Sequence, residues 1–138
     1  MKRVVSTFIC IVLLVSIAGA WAEEIRPYAS ELITSRSIVS NDDGGGKVGF
    51  TARIIGTDII EQIGFSSIRI QKYDEDTDTW DTIKAVYSKY GYDTSVYSYS
   101  VSHNGISGEQ YRCKVTFYAK NGSLSDTKYM TSNIVIPA

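Results

Sequence analysis

The fold of this chain is decided by residues 111–123, YRCKVTFYAKNGS. Alternate positions from Tyr111 to Ala119 are apolar, and the positions between them are polar or amphipathic. A repeat of two residues indicates a β-strand that is buried on one face and wet on the other. The Asn-Gly pair at residues 121–122 supplies the positive φ angles of a tight hairpin turn. A last strand is therefore expected to return beside this one.

The rest of the chain repeats this pattern of short alternating segments separated by breakers. Residues 41–46 include three glycines, residues 74–78 are acidic and residues 90–93 contain Gly91, so each is interpreted as a turn or loop. Residues 57–64 fit neither period and are interpreted as a crossing segment that includes one helical turn. Seven strands are predicted, at residues 30–39, 48–55, 66–73, 79–87, 96–102, 109–119 and 127–136. We therefore expect an all-β, seven-stranded antiparallel sandwich.

The first residues have the layout of a secretory leader. Lys2 and Arg3 precede an apolar run at residues 4–17, and small residues follow it up to Ala22. This predicts a signal peptide at residues 1–22, a β-sandwich domain at residues 23–138, and a secreted, extracellular location. Cleavage after Ala20 also fits the small-residue rule. An uncleaved membrane anchor remains the alternative.

Charge and cysteine content limit the function classes. The formal net charge is −1, and removing Lys2 and Arg3 makes the remainder more acidic. No nucleic-acid or anionic-membrane partner is therefore expected. Cys113 is the one cysteine beyond the leader, so no internal disulfide can form. We interpret it as a small buried hydrophobe.

The pattern Y-x-C-x-V-x-F-x-A-x-N-G at residues 111–122 resembles the penultimate strand and final hairpin of fibronectin type III and related immunoglobulin-like domains. The resemblance implies that the Tyr111 hydroxyl returns to upstream backbone as a tyrosine corner, with Ile106 near an apolar plug. It departs from that family because residues 48–55 lack a tryptophan and Trp80 lies in the fourth strand. The chain also resembles a group of short secreted bacterial proteins of unknown function. The predicted core contains Phe50, Ile54, Ile68, Ile70, Trp80, Val115 and Phe117.

Catalytic and metal signals are weak. The single histidine, His103, has no nucleophile or carboxylate partner in the sequence, so we expect no enzyme activity and no cofactor. Asp74, Asp76 and Asp78 match the first half of a calcium loop. Thr79 stands where that motif needs glycine, and its closing acid is missing. These carboxylates are a weak calcium candidate, and a solvated turn is the alternative.

The tyrosines suggest binding. Tyr87, Tyr90 and Tyr92 belong to a serine-rich stretch, and tyrosine with serine is typical of binding surfaces. We predict that residues 87–93 form a loop that contacts a protein or glycan partner. Packing between strands is the alternative for these rings. A second functional alternative is a structural module of the cell surface that joins through its sheet edges, although we expect a monomer.

Overall fold

The computed structural model describes residues 31–138, which form one antiparallel, curled β-sheet. Its strands are β1 (Ile33–Gly44), β2 (Lys47–Asp74), β3 (Thr79–Asn104), β4 (Tyr111–Asn121) and β5 (Leu124–Thr131). The all-β prediction is confirmed for these residues. None of them forms a helix that could span a membrane. The predicted leader, residues 1–22, lies outside the described part of the chain.

Two long strands, β2 and β3, organise the sheet. Residues 47–55 of β2 pair with β1 on one side and with residues 96–104 of β3 on the other. Residues 62–72 of β2 pair with β4 and with the first half of β3, and β4 pairs with β5. We call these regions the three-stranded part and the four-stranded part. The register shifts between Ile55 and Ile60, where the sheet turns from one part to the other.

A single hydrophobic core lies between the two parts. The Phe65 ring of β2 lies 5.5 Å from the Phe117 ring of β4 and 5.8 Å from the Tyr97 ring of the three-stranded part. Alternate residues of β4 are buried as the period of two predicts. The core consists of Leu32, Ile33, Val48, Phe50, Ala52, Ile54, Ile60, Ile63, Phe65, Ile68, Ile70, Val101, Tyr111, Cys113, Val115, Phe117 and Ala119.

The predicted count of seven strands differs from the five that are observed. The second and third predicted strands lie in β2, and the fourth and fifth lie in β3. Residues 57–64 and 90–93 were expected to interrupt them. They instead pair with each other, as Gly64 with Tyr90 and Gln62 with Tyr92, which keeps both strands continuous. The helical turn predicted within residues 57–64 is wrong for the same reason.

The first strand is also longer than predicted. β1 includes residues 41–44, which were expected to lie in a loop, and only Gly45 and Gly46 form the turn into β2. All three glycines from Gly44 have positive φ, a conformation that residues with a β-carbon rarely adopt. At its other end, β1 is tied to β5, because Asp126 Oδ2 accepts the N–H groups of Leu32 and Ile33 at 3.3 and 3.4 Å.

The connection from β3 to β4 is closed by Tyr111. Its ring is buried, and its hydroxyl oxygen accepts the N–H of Ile106, five residues upstream, at 2.8 Å. This is the hydrogen bond that a tyrosine corner makes. Gly105 lies against the ring, since a β-carbon there would be 2.8 Å from Cζ. Ile106 itself is 57% exposed, so its expected role as an apolar plug is wrong.

Candidate functional site

The three tyrosines predicted to contact a partner lie on one strand. Tyr87, Tyr90 and Tyr92 belong to β3, so the predicted loop at residues 87–93 is wrong. Ser88 lies between the first two tyrosines and has a φ of 56°, next to the place where the register of β2 against β4 shifts. Because of this irregularity, Tyr87 and Tyr90 share the face that points away from the core although they are three residues apart. Tyr87 and Tyr92 are 57% and 65% exposed.

Tyr90 packs across a glycine. Gly64 of β2 pairs with Tyr90 on one side and with Tyr118 of β4 on the other. The two rings meet above it with centroids 5.7 Å apart and planes at 64°. A β-carbon at Gly64 would lie 2.1 Å from the Lys89 carbonyl oxygen, so the close approach of β2 and β3 requires glycine here. Tyr90 therefore has the packing role, while Tyr87 and Tyr92 leave most of their surface free.

Trp80 was predicted to be a core residue, and this is wrong. It is only half-buried, and it lies on the same outward face as the tyrosines. The Arg112 guanidinium carbon is 4.2 Å from the centre of its ring, a cation–π contact, and the Tyr73 ring is 5.2 Å away. Arg112 Nε also donates to Gln71 Oε1 at 2.8 Å. Trp80 therefore packs against Arg112 and Tyr73 on this face rather than against the core.

Basic side chains lie among these rings. Arg69 of β2 and Lys114 of β4 are direct cross-strand partners, and both are exposed. Within residues 31–138 the one ion pair closer than 4.0 Å joins Lys128 and Asp126. Two like charges directly opposite each other destabilise a sheet. Lys114 lies on the predicted wet face of its strand, but its pairing with Arg69 depends on register, which the sequence does not show.

We define the outer face as the side of the four-stranded part that points away from the core. Cross-strand pairing assigns side chains to it in rows, because partners in adjacent strands share a face. Its exposed aromatic residues include Tyr129 of β5, which is 73% exposed. No aspartate or glutamate occupies these rows. Its aromatic and basic residues are Tyr73, Trp80, Tyr87, Tyr90, Tyr92, Tyr118, Tyr129, Arg69, Arg112, Lys114 and Lys120.

The acidic residues of this region are gathered at the turn between β2 and β3. Asp74 Oδ1 accepts the N–H of Asp76 at 3.0 Å, and Asp78 accepts the hydroxyl of Tyr73. The bond to Asp78 raises the pKa of Tyr73 above its ordinary value, because the neutral phenol is the donor. Among the described residues, no three His, Cys, Asp or Glu side chains come together as metal ligands. The carboxylates of Asp74 and Asp78 thus bond within or beside their own turn.

Two further residues singled out in the sequence lie away from the outer face. Cys113 is buried in the core, and burial raises the pKa of its thiol to about 12. The thiol is therefore neutral at physiological pH and unsuited to nucleophilic chemistry. The His103 ring lies 6.0 Å from the ring of Tyr111, at the end of β3.

Comparison with known proteins assigns no family. No protein-family model matches the chain, and no curated protein sequence matches it. Among solved structures, it is similar to Spo0M, a sporulation control protein from Bacillus subtilis, at 12% sequence identity and a TM-score of 0.44. The match covers 75% of this chain and 49% of Spo0M, so the chain spans about half the length of that protein.

Proposed function

We propose that the chain is an exported, non-enzymatic binding module that holds a protein or glycan partner on its outer face. In this proposal a signal peptide directs residues 23–138 out of the cell, where they act as an immunoglobulin- or fibronectin type III-like β-sandwich. The observation that carries the proposal is the concentration of exposed tyrosines on one side of one sheet. Tyr87, Tyr92 and Tyr129 leave more than half of their surface in solvent, although tyrosine buries readily.

Rigid placement supports a binding role for these rings. The three tyrosines stand on paired strands rather than on a mobile loop, because β3 pairs with β2 and β5 pairs with β4. Aromatic side chains on a rigid support offer contact area while losing little conformational entropy on binding. Serine, threonine and glutamine side chains fill the positions between them and can form hydrogen bonds with a partner.

The test is a double variant, Tyr87→Ala with Tyr92→Ala, applied to the chain expressed in full. The variant and the wild type are compared on glycan arrays and in pull-downs from culture medium. The matched control is Ile59→Ala, which removes a side chain of comparable exposure (64%) at the bend of β2, off the outer face. Loss of a partner in the tyrosine variant alone supports the proposal. Equal binding by all three proteins contradicts it.

A second candidate function is assembly through sheet edges, and the length of β3 favours it. β3 has 26 residues, and among residues 31–138 it pairs only with β2, so these residues leave its other edge open along both parts of the sheet. Ser88 and Asp93 have positive φ and interrupt this edge, which disfavours addition of another strand. Light scattering over a range of protein concentrations separates the two functions. A molecular mass that stays at the monomer value argues against assembly, and a mass that increases with concentration supports it.

A further inference from the structure

We infer that the partner held on the outer face is an acidic glycan, a chain of sugar rings bearing carboxylate or sulfate groups. This inference rests on the proposed binding function and specifies its ligand class.

The outer face carries four cations and no carboxylate in its rows. Arg69, Arg112, Lys114 and Lys120 project from β2 and β4. The chain as a whole has a formal net charge of −1, so its acids lie elsewhere, many of them at the turn between β2 and β3. No aspartate or glutamate among residues 31–138 lies within 4.0 Å of the nitrogens of these four side chains. Asp78 reaches the end of the face at Tyr73, and the rows beyond it carry cations alone. Such a surface is complementary to a ligand of negative charge.

The opposed pair of Arg69 and Lys114 is the strongest indication of an anionic ligand. Cross-strand pairs usually combine opposite charges, and like charges directly opposite each other weaken a sheet. An anion bound between the two side chains would remove this repulsion. Arg112 is already fixed by the Gln71 side chain and the Trp80 ring, so it is preorganised to bind a carboxylate or sulfate. An anion bound at Arg112 would therefore be held by a group that loses little freedom.

Along the strands, three of the cations occupy two adjacent rows, with aromatic rings on both sides of them. Outward residues recur about every 6.6 Å along a strand, and adjacent strands lie about 4.8 Å apart. The row of Tyr87 and Tyr129 is one step from the row of Arg69 and Lys114, and the next step reaches Arg112. The row beyond Arg112 holds Tyr73 and Trp80. An extended chain lying on the face would therefore meet rings, then cations, then rings again. A polymer of sugar rings that carry acidic groups offers apolar ring faces to the aromatic side chains and charge to the cations between them.

The remaining side chains of the face favour a glycan over a nucleic acid. They include hydroxyl and amide groups that can bond to sugar hydroxyls, namely Gln62, Thr82, Thr116, Ser125, Thr127 and Thr131. Single-stranded nucleic acid needs flat, open aromatic platforms within a strongly basic groove. The Tyr90 and Tyr118 rings instead meet at 64°, and Arg112 covers the Trp80 ring.

The experiment measures binding to matched charged and neutral sugars by calorimetry, using the chain expressed in full. The probes are hexagalacturonate, its methyl ester, a heparin hexasaccharide and a six-nucleotide single-stranded DNA. The test variant is Arg69→Gln with Lys114→Gln. The control is Lys47→Gln with Arg53→Gln, which removes the same charge from exposed positions of the three-stranded part. Circular dichroism verifies that each variant is folded.

We expect at least one acidic hexasaccharide to bind, and we expect esterification to weaken the binding of hexagalacturonate. The test variant should bind roughly tenfold more weakly, which corresponds to one charge-assisted hydrogen bond of about 1.4 kcal/mol. The control variant should match the wild type, and binding should weaken with added salt.

Each contrary result has a distinct meaning. If neutral sugar binds as well as acidic sugar, or if only a tyrosine-dependent protein partner is found, the inference is overturned and the proposed binding function remains. If DNA binds more tightly than both acidic hexasaccharides, the inference is overturned in favour of a nucleic-acid ligand. If no ligand or partner binds in calorimetry, on arrays or in pull-downs, both the inference and the proposed function fail.

Discussion

Replacing Tyr111 with phenylalanine removes one oxygen atom and leaves the buried ring in place. The lost oxygen accepts the Ile106 N–H at 2.8 Å. A neutral hydrogen bond contributes about 1 kcal/mol, and an N–H left without a partner in a dry site costs more. Because Ile106 is 57% exposed, water can reach this part of the connection and limit the extra cost. We therefore expect Tyr111→Phe to lower the free energy of unfolding by about 1 kcal/mol.

The assay is urea unfolding of the chain expressed in full, followed by circular dichroism. With a slope of about 2 kcal/mol per molar urea, the midpoint should fall by about 0.5 M without a change in slope. Tyr129→Phe is the matched control, because that ring is 73% exposed and its loss of a hydroxyl should leave the midpoint unchanged. If the two variants unfold at the same urea concentration, the hydroxyl of Tyr111 does not close the connection between β3 and β4.

Three further predictions concern the core and the sheet. Gly64→Ala should lower the free energy of unfolding by about 3 kcal/mol, because its β-carbon would lie 2.1 Å from the Lys89 carbonyl oxygen. The control Thr127→Ala, in the same row, should change the free energy of unfolding by less than about 0.5 kcal/mol. Equal losses of stability in the two variants would refute the requirement for glycine at residue 64. The Cys113 thiol has an ordinary pKa of 9.0 and a folded pKa of about 12, so its contribution to stability is complete below pH 9 and is lost as the pH rises toward 12. In urea titrations, the free energy of unfolding of Cys113→Ala should therefore fall less between pH 8 and 10.5 than that of the wild type. Parallel curves for the two proteins would contradict the raised pKa of Cys113. Asp126→Ala should lower the free energy of unfolding by about 1 kcal/mol and speed hydrogen exchange at the start of β1, where this carboxylate accepts two backbone N–H groups. Unchanged hydrogen exchange at those two N–H groups would show that Asp126 does not hold β1 to β5.

Alternation predicted the buried face correctly wherever one face of a strand is dry. Val115 and Phe117 are buried because β4 lies between β2 and β5 over the core. Val48 and Ile54 follow the same rule in β2. A shift of one residue would expose every apolar side chain of such a strand, so the pattern leaves a single solution.

Continuity and register could not be predicted in the same way. Gly64 and Gly91 indicate breaks by local propensity, but in the structure they pair with each other's strands, as Ile63 pairs with Gly91. The irregular backbone at Ser88 puts Tyr87 on the same face as Tyr90, which strict alternation excludes. Trp80 was assigned to the core by its apolar ring alone, whereas its contact with Arg112 comes from a strand distant in sequence.

The uninterrupted course of β2 and β3 has a consequence for how the molecule comes apart. Each strand crosses from the three-stranded part to the four-stranded part without a linker. Neither part can therefore open as an independent foldon, because separating its strands also removes the ladder that orders the other. Amide protons at Phe50 and Ile70 should consequently exchange with the same global free energy, as members of one cooperative unit.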